Sequence, residues 1–308
     1  MRRAVVTGPT GAVGRALTDR LIKENIKVYA ICNPDGKKRP DCIEESLNLR
    51  IIPCGLSELR KLKEIIPLQV DAFFHLGWMG TVGSGRNDMD TQILNIQYTI
   101  DAVRVASELQ ASVFIGAGSQ AEYGHYDGPL SSATPCVPES GYGMAKLCAG
   151  QMSREECRKL GLVHIWPRIL SVYGPHDGSN SMIISTIQKL LWSEKPSFTA
   201  GEQVWDYLYA EDAAEALYRI ALYGKDGRIY PLGSGQIKQL KDYITILRDS
   251  IDPELPLGIG DLPYSDRQVM HLEADISRLK ADTGFVPETD FQTGIRKTID
   301  WVKEYCHE

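Results

Sequence analysis

Hydrophobic positions in the first half of the chain follow two alternating rhythms. Short runs at Arg3 to Val6, Lys27 to Cys32, Arg50 to Pro53, Ala72 to Leu76, Ser112 to Ile115 and Leu162 to Trp166 read as strands. Longer amphipathic stretches lie between them and read as helices: Gly11 to Glu24, about Ser57 to Ile66, Thr91 to Leu109 and about Tyr142 to Leu160. In the first, Val13, Leu17, Leu21 and Ile22 share a side; Pro67 closes the second; in the third, Ile93, Ile96, Ile100 and Val103 are spaced for a buried stripe. This alternation predicts parallel βαβ units and an α/β fold. After Trp166 the segments shorten and Gly and Pro become more frequent, with no internal repeat and no low-complexity linker. A smaller, mostly C-terminal α/β lobe is expected there, with some strands returning to the main sheet.

Composition narrows the class. The 308 residues are 43% hydrophobic and 24% charged, which excludes disorder, collagen or coiled coil as the main organisation. A net charge of −6 lacks the footprint of a dedicated nucleic-acid binder, but it leaves room for a phosphorylated small molecule. Seven Cys, an odd number without paired metal spacing, argue against a disulfide scaffold and against a zinc site, so no metal is expected and a reduced, cytoplasmic compartment is. No run of about eighteen apolar residues predicts a membrane span. The apolar run after Arg2 and Arg3 breaks at Thr7-Gly8-Pro9-Thr10, unlike a signal peptide.

The turn between the first strand and first helix reads Thr7-Gly8-Pro9-Thr10-Gly11-Ala12-Val13-Gly14. Glycines at 8, 11 and 14 permit a tight turn and close approach to a pyrophosphate, while the helix N-terminus offers unpaired N–H groups. In this strand–turn–helix context the loop implies a Rossmann-type doubly wound parallel sheet, with Gly8, Thr10, Gly11, Ala12, Val13 and Gly14 as dinucleotide contacts. Residues 1–170 plus about 206–235 are assigned to the dinucleotide-binding domain, and about 171–205 plus 236–308 to a substrate-binding lobe. A carboxylate closing the second strand would hold the ribose of NAD; here that place falls on Cys32 or Asn33. Lys37, Lys38 and Arg39 follow, either as a solvated loop or as the partner of an extra phosphate. NADP is therefore favoured slightly over NAD, with Asn33 and Lys38 as contacts.

Tyr142 and Lys146 stand four apart at a predicted helix start, on one face. A phenol titrates near 10, so acid–base work near neutrality needs help, and an adjacent ammonium favours the phenolate. Ser119, just past the fifth strand, lies where open sheets bind ligands. Together Ser119, Tyr142 and Lys146 read as a catalytic triad. His75 reads as structural; His125 and His176 are secondary candidates for touching substrate.

With these motifs the sequence resembles the extended short-chain dehydrogenase/reductases, and within them the NAD-dependent epimerase/dehydratase branch that modifies nucleotide sugars. The resemblance runs through Thr7 to Gly14, His75-Leu76-Gly77, Asn95, Ser119, Tyr142, Lys146, Arg168, Val172-Tyr173-Gly174-Pro175, Asp206 to Asp212, Ala274 to Ser277 and Gly284 to Pro287. It implies cofactor contacts from Leu76, Gly77, Asn95, Tyr142, Lys146 and Arg168, a nucleotide-diphosphate sugar as substrate, and a homodimer. Departures matter equally. The family's 4,6-dehydratases follow the serine or threonine with Asp-Glu; Gln120-Ala121 stands here, so dehydration is disfavoured, and Glu122 is expected to point elsewhere. Trp205 replaces an arginine of the diphosphate site and either stacks on substrate or plugs the interface between lobes; Arg267 matches the later arginine of that site. Gln120, Trp205 and Arg267 are thus the substrate candidates. The resemblance and its departures together imply hydride transfer at a sugar carbon with Tyr142 as acid/base, in an epimerase or a 4-ketoreductase. A redox sensor or scaffold and a reductase of a non-sugar ketone are the alternatives.

Overall fold

The computed structural model describes residues 1–36, 47–265 and 268–305. The chain runs β1 (Arg3–Thr7), α1 (Ala12–Lys23), β2 (Lys27–Cys32), β3 (Leu49–Pro53), a 3₁₀ segment (Leu56–Glu64), β4 (Ala72–His75), a second 3₁₀ segment (Gly83–Asn87), α2 (Met89–Glu108), β5 (Val113–Gly116), β6 (Gly118–Ser119), a third 3₁₀ segment (Gln120–Glu122), α3 (Gly141–Leu160), β7 (Val163–Ile169) and β8 (Ser171–Tyr173). It continues through α4 (Met182–Leu191), β9 (Ser197–Phe198), β10 (Val204–Tyr209), α5 (Ala210–Tyr223), β11 (Ile229–Leu232), β12 (Ile237–Gln239), α6 (Leu240–Asp249), β13 (Gly258–Ile259), α7 (Ser277–Thr283) and α8 (Phe291–Tyr305).

The main sheet has the order β11-β7-β5-β4-β1-β2-β3, with β6 also paired to β7, and its strands are parallel. This is the Rossmann-type doubly wound arrangement the sequence predicts. Strands covered on both faces need continuous apolar runs, and Ala4, Val5 and Val6 of β1 are fully buried. The strand order reverses between β1 and β4. Thr7 stands level with His75 in that pairing, so the loops after both strands open at one rim.

Apolar clusters on both faces of the main sheet and beside the small sheet hold the frame. On one face of the main sheet Leu17 and Leu21 of α1 pack with Ala213, Leu217 and Ile220 of α5 and with Leu279 and Phe285. On the other, Leu59 and Leu62 pack with Ala102, Val103 and Ala106 of α2. A separate cluster, including Ile184 and Ile187 of α4, Tyr243 and Leu247 of α6 and Ile295 of α8, packs beside the small sheet β12-β10-β8. No helix among the described residues is long and apolar enough to cross a membrane.

Two elements differ from the periodicity. The expected helix after β3 is a 3₁₀ segment that buries Leu59 and Leu62. In α2 the expected apolar stripe holds at Ile100 and Val103, which are buried, but fails at its start: Ile93 is 63% exposed, while Gln92, Asn95 and Thr99 are buried. This end of α2 supports a loop rich in backbone polar groups, so side chains that hydrogen-bond face inward instead of isoleucine.

Candidate active site

The first wall of the site is the turn after β1. The Thr7 hydroxyl accepts from the Gly77 amide at 3.0 Å and lies 3.0 Å from His75 Nδ1, tying the ends of β1 and β4 together. Gly8 has φ of 71°, and a Cβ there would meet Gly77 N at 2.9 Å. A Cβ on Gly14 would come within 2.0 Å of the Gly8 carbonyl, whereas one on Gly11 meets nothing within 4 Å. Gly11 caps α1 without a side-chain bond, and the first turn carries no acidic residue. Free N–H groups and the positive end of the helix dipole therefore face open space, which fits a pyrophosphate.

The second wall comes from the rim of β6 and the start of α3. Ser140 caps α3 by accepting from the Gly143 amide at 3.1 Å, and this sets Tyr142 and Lys146 one turn apart on the same side. Ser119 opens its own short turn as a capping box: its hydroxyl accepts from the Ala121 amide at 3.2 Å, and its own amide donates to Glu122 Oε1 at 2.8 Å. A groove of about 300 Å³ unites Gly8, Gly11, Ala12, Val13, Gly14 and Leu76 with Ser119, Tyr142 and Lys146; Trp78, Thr81, Val172 and Asp177 are among its other lining residues.

Electrostatics inside the groove differ from the simple pairing of Lys146 with Tyr142. Lys146 is buried, donates to the Ala117 carbonyl at 2.6 Å and lies 3.7 Å from the centroid of the Trp78 ring. Burial pulls its ammonium down to about 7, against the opposing pull of Glu122. Burial raises the Tyr142 phenol, while a hydrogen bond with Ser119 and the charge of Arg86 work to lower it. His75 is buried between Thr7 and Thr99 and is driven down to about 3 by burial and then by Lys146, so it is a neutral structural link.

Other candidates lie outside the groove. Asn95 donates to the Met79 carbonyl and accepts from the Met79 amide, both at 2.9 Å, and so shapes the loop after β4. Gly77 acts through its amide on Thr7. Thr10 and Gln120 are half-buried beside the groove without lining it. Asn33 is exposed at the end of β2, where its side chain accepts from the Asp35 amide at 3.1 Å. The Arg168 guanidinium is bonded to Glu122 in the interior, and Arg168 does not line the groove. Trp205 packs against both the cluster beside the small sheet and a neighbouring apolar cluster and donates to Ser171 Oγ at 2.8 Å. His125 pairs with Glu139 at 2.7 Å at an exposed site, and His176 packs on Trp301 beside a separate cleft of about 710 Å³. Lys37, Lys38, Arg39 and Arg267 lie outside the described residues.

Trp78, Thr81, Arg86 and Asp177 were not found by sequence reasoning. Trp78 carried a signal, since it lies three residues past the carboxyl end of a strand next to the reversal of strand order. Arg86 carried none, because a long loop returns it to the site. The Ser119-x-x-Glu122 capping pattern was also readable and would have assigned Glu122 a local role.

Comparison with known proteins places this geometry among relatives. The family model described as NAD dependent epimerase/dehydratase family matches residues 4–233. A dTDP-glucose 4,6-dehydratase of Neisseria meningitidis serogroup B is 24% identical over 337 residues, covering 98% of this chain and 93% of its own. The dTDP-glucose 4,6-dehydratase 1 of Escherichia coli K12 is 29% identical over 182 residues, 56% of this chain, and the match spans only 50% of that relative's length. Among solved structures, the UDP-N-acetylglucosamine 4-epimerase of Methanobrevibacter ruminantium M1, in complex with UDP-N-acetylmuramic acid, aligns with a TM-score of 0.88 at 25% identity over 98% of both chains.

Proposed function

The chain belongs to the NAD dependent epimerase/dehydratase family, enzymes of the extended short-chain dehydrogenase/reductase type, and we propose that it epimerises a nucleotide-diphosphate sugar by removing and returning a hydride without loss of water. The observation that carries this reading is the state of the residues after Ser119. Gln120 and Ala121 offer no acid or base, and both oxygens of Glu122 are engaged, one by Ser119 and Trp166 and the other by Arg168. Dehydration needs a carboxyl pair free to move protons at the sugar, and this turn supplies none.

A bound dinucleotide supplies the hydride acceptor and donor. The turn after β1, Gly11 and the α1 N-terminus would hold its pyrophosphate. Tyr142 takes the proton from the sugar hydroxyl and returns it to the carbonyl oxygen. Ser119 Oγ donates to that same oxygen and stabilises its developing charge. Lys146 stands at the floor of the groove, where Ala117 and Trp78 fix its ammonium. The lobe around β8, β10 and β12 receives the sugar, with Gln120, Trp205 and Arg267 as the substrate-side candidates. Exposed Ile93 and Leu94 on α2 and exposed Met144 and Met152 on α3 support a homodimer. The described cysteines, all free thiols, fit a reducing compartment.

A second reading is favoured by one observation: neither Cys32, the last residue of β2, nor Asn33 just after it is acidic, and this suits NADP and one-way reduction of a keto sugar. Native mass spectrometry, followed by turnover of a panel of UDP- and dTDP-sugars with product analysis, separates the readings. Retained NAD with a stereoisomer of the substrate as product supports epimerisation. An empty protein that consumes NADPH on a keto sugar supports reduction. A 4-keto-6-deoxy product would overturn both.

A further inference from the structure

Two cations approach Tyr142, and one of them lies on its ring. Arg86, half-buried in the 3₁₀ segment Gly83–Asn87, holds its guanidinium carbon 4.4 Å from the Tyr142 centroid. Lys146 Nζ is 5.8 Å from the same centroid and is turned toward Trp78 and Ala117. Arg86 is held in place: it donates to the Thr81 carbonyl at 3.1 Å. The surrounding loop is anchored to α2 by Gln92, whose amide donates to the Gly80 carbonyl at 3.0 Å and the Gly85 carbonyl at 2.8 Å. Asn87 accepts from the Gly141 amide at 2.9 Å, fastening the loop to the first residue of α3.

We propose that Arg86 is a positioning residue for the acid–base step, its cation set against the Tyr142 ring so that the phenolate is stabilised from the ring face. This rests on the reading of Tyr142 as acid/base given above. A cation over an aromatic face is held by the ring quadrupole, and the attraction grows when the ring system carries a full negative charge. Among the described residues, the other charged groups near Tyr142 are Lys146 on its own helix, Glu122 from the turn after β6 and Asp177, which lines the same groove. Glu122 opposes the phenolate, but Arg168 offsets its charge. Trp78 meets Tyr142 edge-on at 6.1 Å and is neutral. The direction of the Arg86 influence on the phenol agrees with this geometry.

The test places 3-fluorotyrosine at position 142 of the full chain and follows its ionisation by fluorine NMR in the parent, Arg86→Gln and Arg86→Lys proteins. The midpoint is expected to rise by about one pH unit in Arg86→Gln and to fall back at least partway in Arg86→Lys. In unlabelled protein the acidic limb of the kcat profile for sugar oxidation should move by the same amount. An unmoved fluorine midpoint in Arg86→Gln overturns the part given to Arg86. A midpoint that moves in a protein inert toward every nucleotide sugar upholds the charge relation and overturns the acid–base reading instead, so the two failures are distinguishable.

Discussion

The carboxylate of Glu122 accepts from Arg168 Nε at 2.6 Å, with the two side chains only 1% and 4% exposed. The other carboxylate oxygen holds the Ser119 amide at 2.8 Å and the Trp166 indole N–H at 3.0 Å. One buried ion pair thus supports the turn that carries the candidate catalytic serine. Arg168 also lies over the Tyr123 ring at 4.5 Å, which extends the same support.

Because an uncompensated buried charge is costly, Arg168→Met should lower the unfolding free energy by about 3–5 kcal/mol. Glu122→Gln combined with Arg168→Met should recover a substantial part of that loss. Urea denaturation of both variants checks this, and a double variant no more stable than Arg168→Met would show that the charges are not coupled.

Tyr142→Phe should fold normally and bind dinucleotide within about twofold of the parent, while turnover falls by about 10²- to 10⁴-fold. Steady-state kinetics and a dinucleotide titration decide it. Full turnover in the variant would remove Tyr142 from the chemistry.

The two glycines at the start of α1 should separate stability from binding. Gly14→Ala drives a methyl to within 2.0 Å of the Gly8 carbonyl, so the helix must shift and about 1–3 kcal/mol of stability should be lost. Gly11→Ala meets no protein atom within 4 Å, so it should cost no more than the roughly 1 kcal/mol of a poorer N-cap while dinucleotide binding weakens. Thermal melts with and without NAD(P) report both. Unchanged affinity in Gly11→Ala would mean that the phosphates do not pass there.

Acid sensitivity follows from His164, which is stacked between Phe114 and Trp166, bonded to Ser153 at 2.9 Å, and pushed down to about 4 by burial. Its ordinary value is 6.5, so between about pH 6.5 and 4 the unfolded chain binds a proton that the folded chain does not. Stability from this group is present above that window and is lost as pH falls through it. His164→Phe should reduce the slope of unfolding free energy against pH by up to about 1.4 kcal/mol per pH unit in the window. Equal slopes in urea titrations from pH 6.5 to 4.5 would rule this out.

The main sheet, the turn after β1 and the Tyr142–Lys146 pair were legible in the sequence because each is written locally. Apolar runs mark strands buried on both faces. Glycine spacing marks a turn against a helix end, and a four-residue separation places two side chains on one helical face. The partner of Arg168 was not legible, since it lies 46 positions away in Glu122. Nor was the inward polar face at the start of α2, where the demand for hydrogen bonds by the loop after β4 overrode the apolar period at Ile93. The ring contact of Arg86 with Tyr142 likewise exists only once that loop is folded back and anchored by Gln92 and Asn87. Periodicity records which face of an element seeks burial. Which charge meets which ring or carboxylate is decided by the packing of distant segments, where an unpaired buried group is too costly to leave alone.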